Sequence, residues 1–413
     1  MIRLSAVILA LAFATPLGGQ EPAPANSEEQ PVVIGKTLTI RSGILHEERR
    51  IHVQLPPDYD IEPDAHYPVV YQLDGEASGQ FSYVAGLVGF LASGYQLPPM
   101  IVVGIPNTSR TRDFTTPHHG PRWFEDILIH PDSVLHPSAG DSTGGADAFL
   151  RFLTDELAPE IERRYRTLPF RVLLGHSLGG LFVTRTMLKR PESFEAYVAS
   201  SPSLSWNDHE LVRDARRALA SLPNATRFFY MAVGDREGNL SAASDLAAVL
   251  EMHAPPGLHW WYRANSGETH QSNPVPTYAQ GLTTIFADLR LSEGFLLTGD
   301  LAALEARFAK ASATYGYPIA PPAAFLNLMG VSQLLLGRTG RAIEILERSV
   351  ELHPSSADAR HGLAGVLEAA GRLVEALERR EEAVRRAAAV AHPRLDEFTR
   401  RRDALRRRLD AGM

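Results

Sequence analysis

The 413-residue chain contains no cysteine, so disulfides, thiolate metal sites and a lipid-anchored cysteine are all excluded. It has no surplus of positive charge either. The net charge of −7 argues against the broad basic footprint that nucleic-acid binding requires. Beyond the first residues, no segment approaches the roughly 18 uninterrupted apolar residues of a membrane helix. A glycine-rich phosphate loop and the His-Glu-x-x-His pattern of zinc proteases are missing, and His118-His119 finds no third ligand at suitable spacing. Nothing in the sequence calls for a cofactor or a metal. Stability must come from a large apolar core rather than from covalent staples.

What is present suggests two parts. The length exceeds what one hydrophobic core usually serves. Residues 300–413 carry eighteen basic and fifteen acidic side chains, net +3, which leaves about −10 on the rest. The N-terminus runs Met1-Ile2-Arg3, an apolar stretch from Leu4 to Ala14, then Pro16-Leu17-Gly18-Gly19-Gln20, the layout of a secretory signal peptide. Cleavage could follow Gly19 or the Ala23-Pro24-Ala25 triplet, within a segment 1–25 that holds the signal peptide and the start of a Pro/Ala/Ser/Glu-rich linker, leaving an exported, periplasmic or secreted protein with no membrane span.

From Val32 to about residue 295, apolar runs alternate with helical periodicity. Thr37–Ile40 and Arg50–Leu55 read as an opening hairpin, and Tyr67–Leu73 and Met100–Ile105 as buried strands joined by a helix over Phe81–Ser93. A helix over Ala146–Tyr165 precedes the strand Phe170–Leu174 and a helix from Leu178 to about Lys189. Strands at Ala196–Ser200, Phe228–Val233 and Leu258–Tyr262 follow, separated by helices near Glu210–Leu222 and Ser241–His253. Such alternation means an α/β fold with a mostly parallel sheet, whose chemistry sits at the carboxyl ends of the strands.

After residue 295 the strands stop. At an offset of 34, Gly337-Arg338 aligns with Gly371-Arg372, Ala342 with Ala376 and Val350 with Val384, the period of tetratricopeptide repeats. The second unit is degraded: Arg380 stands where Leu346 would recur and Ala388 where Pro354 would. Two repeats bury their own faces poorly, so Phe325, Leu328, Leu335, Leu346 and Leu352 need cover from the α/β part, a second copy or a protein partner.

The chemistry centres on Gly175-His176-Ser177-Leu178-Gly179-Gly180. An apolar strand enters it and a helix leaves it, as a nucleophile elbow requires, and the flanking glycines relieve crowding at the sharp turn. A serine hydroxyl needs a base, and His270 follows the last strand. His253, ending a helix, and His259, opening a strand, read as structural. The orienting acid should follow the strand ending at Val233. Asp235 and Glu237 both qualify; Glu237 has the better reach, and a dyad without either acid stays open. Oxyanion donors are expected from the Leu178 N–H and from Gly75 or Glu76 in the turn Asp74-Gly75-Glu76.

Five segments in order, Tyr71–Glu76, Arg110–Thr115, Gly144–Leu150, Gly175–Gly180 and Ser201–Trp206, resemble the putative-esterase family of α/β-hydrolases, which includes enterochelin, siderophore and esterase D-type enzymes. The resemblance covers about residues 32–290. It implies an α/β-hydrolase over 32–295, ester hydrolysis through an acyl-serine without cofactor, and a helical module over 300–413. Thr116 interrupts a family loop that more often reads Thr-Pro directly. In that loop Arg110 and Arg112 are candidates to bind an anionic or catechol-like group, with an Arg112–Asp113 contact as the alternative. Trp206 is a candidate lining of the acyl pocket. The function expected is a serine esterase of small-molecule, siderophore-type esters. The alternatives are acyl transfer and a non-catalytic scaffold recruiting a partner through its helices.

Overall fold

In a computed structural model of the chain, which describes residues 31–118 and 143–412, the segment Tyr67–Leu73 is buried at all seven positions. That pattern belongs to a strand covered on both faces. This strand, β3, lies in an eight-stranded sheet with β1 (Lys36–Ser42), β2 (Glu47–Gln54), β4 (Ile101–Ile105), β5 (Thr167–His176), β6 (Ala196–Ser200), β7 (Arg227–Gly234) and β8 (Leu258–Asn265). The spatial order is β1-β2-β4-β3-β5-β6-β7-β8. The hairpin β1/β2 joins β4 antiparallel, and every other pairing is parallel. The expected leader, residues 1–25, lies outside the described residues.

Helices cover the sheet because alternate strand residues face opposite sides. On one side Tyr71, Leu173, Tyr197 and Phe229 pack beneath α2 (Arg110–Phe114), α3 (Ala146–Arg151), α4 (Ala158–Arg164), α5 (Leu178–Lys189), α6 (Trp206–Ala220) and α7 (Leu240–His253). A single helix was expected over Ala146–Tyr165. The chain instead inserts a π-helical turn, Phe152–Leu157, between α3 and α4, just ahead of Pro159, which has no N–H to donate. Similarly, Asn207, Asp208 and His209 form a left-handed turn at φ 49°, 54° and 60°, so regular helix in α6 starts at Glu210. On the other side of the sheet lie α1 (Gln80–Ser93) and α8 (Pro274–Ile285). The periodicity of α1 is plain: Phe81, Val84, Ala85 and Val88 are its buried residues.

Of the helices after the sheet, the first four share that second core, and the last three pack in two smaller clusters. In chain order the helices are α9 (Glu293–Thr298), α10 (Leu301–Tyr315), α11 (Ala323–Leu335), α12 (Thr339–Leu352), α13 (Ala357–Ala369), α14 (Leu373–Ala389) and α15 (Leu395–Asp410). Ala323 and Ala357 open the first helix of each pair, and Thr339 and Leu373 the second, so the 34-residue offset is kept in space. Gly337 and Gly371 sit between the paired helices at φ 75° and 77°, which is why glycine recurs there. Phe170 of β5 meets Tyr315 and Tyr317 at 5.6 and 5.9 Å, and Tyr95 meets Phe325 at 5.1 Å. The Tyr315 hydroxyl donates to the Ile285 carbonyl at 2.8 Å. The α/β part therefore covers Phe325, while Leu346 packs on Gly330. Leu328 and Leu335 are a correction to the expected cover: they face solvent, 43% and 82% exposed. At the degraded repeat position, buried Arg380 donates to Glu368 at 2.8 Å in place of an apolar contact.

A second joint is polar. Ser356, before α13, donates to Glu62 at 2.7 Å. Burial pushes the Glu62 carboxyl up to about 7, with the carboxylates of Asp358, Asp58 and Asp64 adding to the rise.

Two outcomes follow. Ending the chain near residue 296 strips Tyr315, Tyr317 and Phe325 from the core, so the fragment should aggregate and lose a sharp thermal transition, read by light scattering and calorimetry. Glu62 binds its proton more tightly folded than unfolded, so its contribution is full below about pH 4.5 and lost as pH rises through about 7. Glu62→Gln should accordingly exceed the wild type in stability above pH 7, by on the order of 1 kcal/mol in denaturant titrations, with the gain vanishing near pH 4.

Candidate active site

Strand β5 ends at His176, and Ser177 turns the chain into α5 at φ 59°, ψ −119°. A Cβ at Gly175 would collide with the Gly179 carbonyl, and one at Gly180 would lie 2.8 Å from the Ser200 carbonyl, so the flanking glycines let the elbow pack on β6. The Ser177 N–H donates to the Ser200 carbonyl at 3.0 Å, and the Ser203 N–H to the Ser177 carbonyl at 3.1 Å. The serine is thereby fixed at the strand's end, 3% exposed.

His270 comes from the turn after β8. Its Nε2 lies 3.0 Å from Ser177 Oγ and its Nδ1 2.6 Å from Glu237 Oε2. Asp235 does something else: it accepts from the Gly267 N–H at 2.9 Å and so holds the turn that carries the histidine. Gly234 makes the meeting of these two loops possible, since a Cβ there would strike the Glu268 carbonyl. Burial pushes the Glu237 carboxyl up, but hydrogen bonds from His270, Ser201 and the Gly234 N–H outweigh it and hold it below the ordinary value. His259 stacks on Phe228, and His253 ends α7.

Four residues beside the three had no site role in the sequence. His176 places Nε2 2.8 Å from the His270 carbonyl. Burial, then the neighbouring His270, pushes its pKa down to about 4, so it stays neutral and donates that N–H, pinning the base's backbone. Asn239 Nδ2 lies 3.4 Å from His270 Nδ1. Ser201 donates to Glu237 Oε1 at 2.7 Å and itself accepts from Asn273 Nδ2 at 2.9 Å. Ser201 lay in a family segment without an assigned job, and Asn273 carried no motif at all.

The oxyanion expectation needs one correction. Gly75 is no free donor, because its N–H is committed to the Ile105 carbonyl at 3.0 Å. Its missing side chain serves backbone contact with β4 rather than with a substrate, as a Cβ would collide with Ile105. Among the described residues, the N–H groups of Glu76 and Leu178 have no hydrogen-bond acceptor. The Glu76 carboxylate accepts from the Asn107 N–H at 3.0 Å, which anchors the loop.

Both arginines pair with protein groups. Arg110 makes a two-pronged pair with Asp74 at 2.6 and 3.1 Å and donates to the His176 carbonyl at 3.1 Å. Arg112 grips Glu47 at 2.7 Å and Asp113 at 2.7 Å, beside the buried pair Arg49–Asp113. Arg112 commits Nε, Nη1 and Nη2 to carboxylates, a correction to its expected substrate contact, whereas Arg110 is held through Nε and Nη2 alone. Trp206 lines a small cleft with Phe114, Thr116, Leu181, Arg185, Glu210 and Leu211. Thr116, the interrupting residue, accepts from Trp206 Nε1 at 3.1 Å and from Asn207 Nδ2 at 3.2 Å. The His118 ring lies 4.8 Å from that of Trp206, and His119 falls outside the described residues. Among the described residues, no cluster of three or more His, Asp or Glu is arranged to hold a metal.

Comparison with known proteins supplies relatives for this geometry. The profile of the family described as "Putative esterase" matches residues 42–278, more than half of the chain, and a tetratricopeptide-repeat profile matches residues 333–392. The ferri-bacillibactin esterase BesA of Bacillus subtilis is 31% identical over 243 residues, which span 55% of this chain and 81% of BesA. The siderophore triacetylfusarinine C esterase of Aspergillus fumigatus is 40% identical over 152 residues, 36% of this chain and 48% of that protein. Among solved structures, an IroE-like serine hydrolase from Shewanella oneidensis superposes with a TM-score of 0.63 at 28% identity, covering 77% of this chain and 99% of its own.

The oxyanion loop offers a direct check. Gly75→Ala should destabilise the fold by about 2 kcal/mol or more, because its Cβ has no room against β4 and the loop must move. Gly238→Ala, where nothing lies within 4 Å, should stay within about 0.5 kcal/mol of wild type in the same denaturant titration.

Proposed function

We propose, for a chain that belongs to the Putative esterase family, that it hydrolyses carboxylic esters of siderophore type through an acyl intermediate on Ser177. One observation carries the reading: Ser177 Oγ, His270 Nε2, His270 Nδ1 and Glu237 Oε2 lie in a line of contacts of 3.0 and 2.6 Å. The siderophore class comes from relatives named for such esters. On the same reading, residues 32–295 form the catalytic part of an exported protein. Residues 300–413 are its helical module, the part available to a protein partner or a second copy.

In this mechanism His270 takes the Ser177 proton as the hydroxyl attacks the ester carbonyl, and the imidazolium is held by the Glu237 carboxylate. Negative charge develops on the former carbonyl oxygen. The Leu178 N–H at the head of α5 and the Glu76 N–H are its donors, preset by the elbow and by the Glu76–Asn107 and Asp74–Arg110 contacts. Collapse expels the alcohol with the proton from His270, leaving the acyl-serine. Water, activated by the same histidine, then releases the acid. Trp206 and the apolar cleft residues accommodate the acyl group. No step calls for a metal or a cofactor.

Ser177→Ala and His270→Ala should each leave under a few per cent of wild-type turnover of a p-nitrophenyl ester, because nucleophile and base act as one unit. Glu237→Gln should lower kcat by about 10²- to 10⁴-fold, whereas Asp235→Asn, which loses a turn contact, should cost less than about tenfold. Activity surviving in Ser177→Ala would overturn the assignment.

A further inference from the structure

The carboxylate that faces His270 is held from behind by a chain of buried amides and a hydroxyl. Glu237, whose side chain is 2% exposed, turns Oε2 toward the imidazole and leaves Oε1 to the Gly234 N–H at 2.5 Å and to Ser201 Oγ at 2.7 Å. A serine hydroxyl can donate or accept, so its direction depends on its other neighbour. Asn273 settles it. Its Nδ2 donates to Ser201 Oγ at 2.9 Å and to the Ala232 carbonyl at 3.1 Å, leaving the Ser201 proton for Glu237. The Asn273 amide cannot be turned over without loss, because its Oδ1 accepts from Asn265 Nδ2 at 2.8 Å. The bonds therefore run one way, Asn265 to Asn273 to Ser201 to Glu237. All four side chains are buried, Ser201 and Asn273 completely.

Backbone strain points to the same residue. Ser201 sits at φ 44°, a conformation that glycine adopts without cost and serine does not. Its N–H is bound to the Ala232 carbonyl at 2.7 Å, and the register Ser200↔Ala232 places it at the lip of β6 beside the exit of β7. A glycine would satisfy the backbone there but would bring no hydroxyl to the carboxylate.

We propose that Ser201, oriented by Asn273, is a positioning residue for the acid–base pair: its hydroxyl fixes the Glu237 carboxylate so that Oε2 meets His270 Nδ1 and the Nε2 lone pair faces Ser177. The proposal rests on the reading of Ser177, His270 and Glu237 as the reacting set. Removing the hydroxyl leaves the buried carboxylate free to rotate and less stabilised in its charged form. A buried carboxylate short of one donor holds a proton more tightly, so the titration of Glu237 moves to higher pH.

Ser201→Gly separates this role from a structural one, since it deletes the hydroxyl and relaxes the φ angle together. The measurement is the rate at which a fluorophosphonate labels Ser177 across pH 5 to 9, with turnover of a p-nitrophenyl ester alongside and Ser201→Ala as the second variant. Expected are a labelling rate and kcat lower by about tenfold with KM changed less than about threefold, and an acid limb shifted upward by about half a pH unit. The Ser201→Gly protein should melt within a few degrees of wild type. Two folded variants with the wild-type rate and acid limb would overturn the proposal, as would loss of folding in both, which would make the hydroxyl a structural element. If the wild type is not labelled, or Ser177→Ala is labelled equally, the nucleophile assignment falls instead.

Discussion

Backbone touching backbone at the carboxyl edge of the sheet is the contact on which the rest of this structure depends. Gly75 lies against β4, Gly175 against the first turn of α5, Gly180 against the end of β6, and Gly234 against the turn that carries His270. Each approach is closer than a Cβ permits. The parallel register aligns His176 with Ser200 and Ser200 with Ala232, so β5 and β6 end in one row that β7 overruns by two residues. Four loops converge above that row because glycine lets each start within reach of the next. The positions of Ser177, His270, Glu237 and the Asp74–Glu76 loop are therefore set by main-chain geometry before any side chain is chosen.

The charges placed there are buried, and a buried charge is tolerated only when paired and hydrogen-bonded. Glu237 has three donors and Asp74 has Arg110 and Asn107. Arg112, Glu47, Arg49 and Asp113 form a further closed group that fixes α2 to the hairpin. These networks explain why arginines that look like ligand binders in one dimension serve as supports in three. Arg110 in particular links Asp74 to the His176 carbonyl, one residue from Ser177. The Asp74 loop and the turn at Ser177 are thus held by the same ion pair.

The repeat helices extend that support rather than stand apart. Tyr315, Tyr317 and Phe325 complete a cluster with Phe170, Phe228 and Phe286 under the sheet. Two repeats have too few neighbours to bury both faces of each helix pair. Here one face is closed by the α/β part, while the other leaves Leu328, Val331 and Leu335 in solvent.

The sequence by itself determined the alternation of strands and helices, the elbow around Ser177, the two loops carrying acid and base, and the 34-residue helical offset. All of these are local: apolar periodicity, glycine at tight turns and the order of segments are written in neighbouring residues. Helix α8 is not among the helices expected from the sequence; it opens with Pro274 and Pro276, and proline in the first turn of a helix loses nothing. Only the tertiary structure shows which of Glu237 and Asp235, two residues apart, meets His270: the Gly267 N–H claims Asp235, and His270 Nδ1 lies against Glu237. It also withdrew Gly75 from the oxyanion site, engaged Arg110 and Arg112, and recruited His176, Ser201 and Asn273. Each of these depends on a partner between 30 and 100 residues away, and no periodicity or motif encodes which donor a buried acceptor will find.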